Sequence, residues 1–163
     1  MVPEDALAAF AEIGIGLAGF SGLVAAFVQH AGDPWREDQK ARIVLLIVMS
    51  FGMIVCALLP YALAGISDAA GLVWGLPMVL FSTLCLGLLV HWALVARSGR
   101  FKLHFPWISI PVLVLAGGLQ VLSLLSGLGV VLPYSPTIFL LGFLSLLVFG
   151  ALVFVALLNS IWN

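Results

Sequence analysis

The chain has 163 residues, 64% of them hydrophobic and 8% charged, with a formal net charge of −1. A water-soluble domain carries roughly 25% charged residues, so this chain has too little polar surface to cover a core in water. Six basic residues against seven acids give no excess of positive charge for nucleic acid. The composition is that of one all-helical domain, residues 1–163, embedded in a lipid bilayer.

A membrane-crossing helix needs about 20 mostly apolar residues. Five runs meet this, at roughly 6–29, 43–66, 71–96, 107–129 and 136–161. The chain opens Met1-Val2-Pro3-Glu4-Asp5 with no basic segment, so the first run is expected to stay as a span rather than be cleaved as a signal. Before the second run, Asp33-Pro34 reads as a helix N-cap followed by proline at the first helical position. The second helix is therefore expected to start near Pro34, with Asp38 and Arg42 placed to pair four residues apart. Pro60, Pro77 and Pro111 fall inside runs, where membrane helices tolerate them. Cys56 and Cys85 lie in apolar runs and read as packing residues. Ser135-Pro136 repeats the cap signal ahead of the fifth run.

The basic residues give an orientation. Arg36, Lys40 and Arg42 lie between spans one and two, and Arg97, Arg100 and Lys102 between spans three and four. The positive-inside rule then places the N-terminus outside and the C-terminus in the cytoplasm. Trp35, Trp92, Trp107 and Trp162 would mark the inner interface; Tyr61, Trp74 and Tyr134 would mark the outer one.

The first span is patterned by size. Phe10, Ile13, Leu17, Phe20, Val24 and Phe27 recur by three and four and form a bulky stripe. Asp5, Ala8, Glu12, Gly16, Gly19 and Ala26 form a flat one, flanked by Gly14, Ala18 and Gly22. Such a helix is suited to close approach on its flat side. Glu12 lies on that side, about one third of the way in from the outer surface. An ionised acid deep in a span costs about 2.5–3.5 kcal/mol or more, so it is expected to face protein or water.

Two readings follow. In one, the flat face packs on a neighbouring helix and Glu12 hydrogen-bonds a polar partner, with Gln120 of span four at a similar depth. In the other, copies of the first span surround a pore, with Asp5 and Glu12 attracting cations at its outer mouth and Gly16, Gly19 and Gly22 lining a narrow passage. Five helices rarely enclose a wide channel alone, so the pore reading implies a homo-oligomer.

His91, near the inner end of span three, reads as a polar group satisfied within the bundle and a possible partner of Glu12 in proton transfer. His30 and His104 flank the membrane at the same level, at spacings that match no metal or haem motif. Gln120, Ser50, Ser82, Thr83, Ser123 and Ser145 read as structural. No Walker loop, nucleophile elbow or metalloprotease histidine pair occurs, so the chain does not read as an enzyme and no cofactor is expected.

The stretch Ala11-Glu12-Ile13-Gly14-Ile15-Gly16-Leu17-Ala18-Gly19-Phe20 resembles the first helix of an uncharacterised family of small bacterial integral membrane proteins. That resemblance covers one span and implies the bacterial inner membrane but no activity. Ala11-Glu12-Ile13 followed by glycine also resembles the first helix of small multidrug resistance transporters, which would make Glu12 a proton- and substrate-exchanging acid. The chain departs from that family in length, span number and later aromatic pattern. The expected function is an oligomeric pore for inorganic cations or protons. The alternatives are a proton-coupled small-molecule transporter using Glu12 and a non-transporting scaffold or accessory subunit.

Overall fold

The computed structural model describes residues 3–30, 37–66, 68–97 and 106–162. These form α1 (Pro3–His30), α2 (Glu37–Ala64), a π turn (Gly71–Gly75), α3 (Leu76–Arg97), α4 (Pro106–Gly127) and α5 (Pro136–Trp162). No strand occurs among the described residues. All five helices contain stretches long and apolar enough to cross a membrane: Asp5–Phe27, Gln39–Ala64, Gly71–Leu94, Ile110–Gly127 and Pro136–Asn159. The start of the second helix near Pro34 lies outside the described residues.

Helices α2 to α5 close a four-helix ring in which each packs on its neighbours in sequence and α5 returns to α2. Helix α1 lies outside that ring, against α2 and, to a lesser extent, α5. The ring is filled by aromatic and long aliphatic side chains. Phe81 stacks on Phe143 at 4.2 Å between centroids, and Phe139 meets Phe143 edge-on at 4.7 Å. Leu46, Met53, Met78 and Leu157 are buried around them. Side-chain packing of this kind, rather than hydrophobic exclusion, holds helices together in lipid.

The third span departs from a plain helix at its start. Pro77 has no N–H to give to the carbonyl four residues back, and its ring crowds that carbonyl. The chain meets this with a π turn, closed by the Leu76 N–H donating to the Gly71 oxygen. Gly75 then crosses Gly127 of α4 so closely that a Cβ on Gly75 would lie 2.8 Å from the Gly127 oxygen. Tyr134 covers this crossing, with its ring against Gly71, Gly75 and Gly129.

The connection from α4 to α5 is organised by Ser126. Its hydroxyl donates to the Leu132 oxygen at 2.7 Å and accepts the Ser135 N–H at 3.3 Å. The Ser126 carbonyl accepts the Tyr134 N–H at 3.0 Å. These bonds hold Leu132 and Tyr134 at φ 41° and 55°, a region that side-chain-bearing residues enter at a cost. The fifth helix begins at Pro136, where the Ser-Pro cap signal places it.

Candidate functional site

Helix α1 has two working sides. Leu7, Ala11, Gly14, Ser21 and Val24 are buried against the protomer. Gly14 is the point of closest approach: a Cβ there would lie 2.9 Å from Ile54 Cγ1 and 3.1 Å from the Ser50 oxygen of α2. Part of the bulky stripe seats on α5, where Phe10 stacks on Phe143 and Phe20 meets Phe154 edge-on, each at 5.2 Å. Ser21 turns its hydroxyl back onto the Leu17 oxygen at 2.7 Å, so its polarity is spent within the helix.

The other side points away from the protomer. Asp5, Ala8, Glu12, Gly16, Gly19, Gly22 and Ala26 are all exposed. A Cβ added at Gly16, Gly19 or Gly22 would meet nothing within 4 Å. Open glycines also occur at Gly87, Gly117 and Gly118, but those spans carry no acid. Leu23, 50% exposed, falls in line with the flat stripe one turn past Gly19, so the smooth surface runs from Asp5 to Gly19 and then meets a bulky residue. That interruption follows from helical spacing alone.

The polar partners considered for Glu12 lie elsewhere. Gln120 is 1% exposed and turned into the ring, where its Nε2 donates to the Gly142 oxygen of α5 at 2.9 Å and to Ser145 Oγ at 3.4 Å. Glu12 and Gln120 are therefore not brought together in one protomer. His91 is exposed on α3 and lines a cleft against α2 with Lys40 and Trp92, also away from Glu12. The side chain of His30, and His104 altogether, lie outside the described residues. Among the described residues, no three of His, Cys, Asp and Glu gather as a metal site.

The span serines divide. Ser50 bonds the Leu46 oxygen and Ser145 the Gly142 oxygen, which satisfies them locally. Ser82 and Ser123 are fully buried, and their hydroxyls have no hydrogen-bond partner among the described residues. Arg42 is the residue that sequence reasoning placed least well. It is 2% exposed, and its guanidinium donates to the Ala156 oxygen of α5 at 2.5 Å. The side chain of Asp38, its expected partner, lies outside the described residues. Only the tertiary return of α5 to α2 reveals this bond, and no local signal announces it.

No family model, curated protein or solved structure matches the chain.

Proposed function

We propose that the protein is an oligomeric integral membrane protein of the bacterial inner membrane in which copies of α1 meet along Asp5, Glu12, Gly16 and Gly19. The carrying observation is that this face is exposed on the protomer although it bears an acid within a span. Turned to hydrocarbon, an ionised Glu12 would cost about 2.5–3.5 kcal/mol or more, and a second copy or an aqueous path removes that cost. The flat surface lets neighbouring backbones approach closely.

The conduction path in this reading lies between protomers, because Phe81, Phe139 and Phe143 fill the middle of the four-helix ring. Asp5 and Glu12 then form acidic rings that draw inorganic cations or protons toward Gly16, Gly19 and Gly22. The N-terminus is outside and the C-terminus cytoplasmic, from the placement of the basic residues. A carrier using Glu12 inside a single protomer finds less support, since Glu12 is exposed on the side of α1 turned away from its own protomer. The accessory-subunit reading keeps the same exposed face and gives it to a different membrane protein.

Reconstitution into liposomes with cation-flux recording tests the proposal. The wild type is expected to pass monovalent cations or protons, and Glu12→Gln to lose selectivity for cations over anions. Absence of flux under any imposed gradient, from a preparation verified as oligomeric, would overturn the channel reading. A flux unaltered by Glu12→Gln would remove Glu12 from the path.

A further inference from the structure

A cleft of about 410 Å³ opens between the start of α2 and the end of α3. This volume falls in the range of small-ligand sites, roughly 300–1,000 Å³. Its lining is graded along the helix axes. Glu37 and Lys40 stand at the mouth, His91 and Trp92 face them from α3, and Val44 and Val48 continue inward. Lys40 Nζ donates to Glu37 Oε1 at 2.8 Å, with the two side chains 52% and 88% exposed. So exposed a pair is held weakly and is open to exchange with a ligand of matching charges. Gln39–Ala64 and Gly71–Leu94 are membrane-length apolar stretches, so Lys40, His91 and Trp92 stand at the very ends of two spans. That is the level at which lipid headgroups give way to hydrocarbon.

We propose that this cleft binds one zwitterionic phospholipid whose headgroup carries a primary ammonium beside its phosphate, as in phosphatidylethanolamine. The occupant is chosen by charge. A lone anionic headgroup would suit Lys40 but would set its charge against Glu37. A zwitterion presents both signs at the spacing of one headgroup: phosphate to Lys40 and His91, ammonium to Glu37. Trp92 lies at the glycerol level, where indole rings favour the interface. One acyl chain runs along Val44 and Val48, both in the apolar part of the lining. The proposal stands apart from the α1 face and does not depend on conduction.

Native mass spectrometry of the full chain released from detergent, with lipids added in competition, gives the test. The wild type is expected to retain one phosphatidylethanolamine per protomer, about fivefold to tenfold over phosphatidylglycerol at equal concentration. Lys40→Ala and Val48→Trp, one at the headgroup end and one filling the apolar end, should each bring retention down to the background shared by all lipids. Glu37→Ala should invert the preference toward phosphatidylglycerol, because Lys40 then stands without an acid. Thermal melting of each variant confirms that it is folded, and the two ends of the cleft are probed independently if one variant fails. Equal retention of the two lipids, or retention untouched by both Lys40→Ala and Val48→Trp, overturns the proposal. Equal binding of glycerophosphoethanolamine, which lacks acyl chains, would show a headgroup site alone and overturn the lipid assignment.

Discussion

Gly14 and Gly16 stand two positions apart on α1 and answer to different surroundings. A methyl group at Gly14 would press on Ile54 and on the Ser50 backbone of α2, whereas at Gly16 it would meet open space. Gly14→Ala is therefore expected to destabilise the protomer by about 1–3 kcal/mol through overpacking. Gly16→Ala should leave the protomer as stable or up to about 1 kcal/mol more so, because alanine favours the helix. If the flat face joins protomers, Gly16→Leu should break the oligomer while the protomer stays folded. Unfolding in graded denaturing detergent, read beside light scattering of the purified protein, separates these outcomes. A Gly16→Leu protein that remains fully oligomeric would exclude this face from the assembly. Gln120 is divided within one side chain: its Nε2 is bonded, while its Oε1 is buried with no partner among the described residues.

Between elements, the π turn and α4 cross backbone to backbone. Gly75 and Gly127 face each other's backbone oxygens at 2.8 and 3.0 Å from a hypothetical Cβ, and backbone cannot rotate aside as a side chain can. Gly75→Ala should force the third and fourth spans apart and cost about 1–3 kcal/mol. The loss should be accompanied by exposure of Tyr134, measurable as faster iodination of that ring. In the core, Phe143 is fully buried and touches Phe10, Phe81 and Phe139, joining α1, α3 and α5 at one place. Phe143→Ala is expected to cost about 3–5 kcal/mol, more than any substitution on the exposed face of α1. Detergent unfolding of the two sets of variants side by side checks that ranking.

For the molecule as a whole, the two ends of the bundle differ in character. One end holds the Ser126 turn and the Tyr134 cover; the other holds Lys40, His91 and the Arg42 bond to α5. The proposed orientation puts the first end outside. A cysteine at Asp68 should then react with a membrane-impermeant thiol reagent in intact cells, and one at Ser98 should react only after permeabilisation. The native Cys56 and Cys85 are buried and should contribute little background. The reverse pattern would invert the topology and move Asp5 and Glu12 to the cytoplasmic side.

The number of membrane-length helices could be read from the chain, because about 20 apolar residues are needed per crossing and the apolar runs are interrupted between spans. The two-sided character of α1 was equally legible, since side-chain size repeats with the helical period. Sequence also supplied Glu12 as an acid set well inside a span. Which side of α1 meets its own protomer was decided only by the fold. The closest approach passes through Gly14, while the acid and the flat stripe are left outside. Both sides contain small residues, so composition cannot choose between them. That choice depends on how α2 and α5 are already joined. The same cause hid the Arg42 bond to Ala156 and the opposed positions of Gln120 and Glu12, since depth can be counted along a chain but direction around a helix axis needs the neighbours in place.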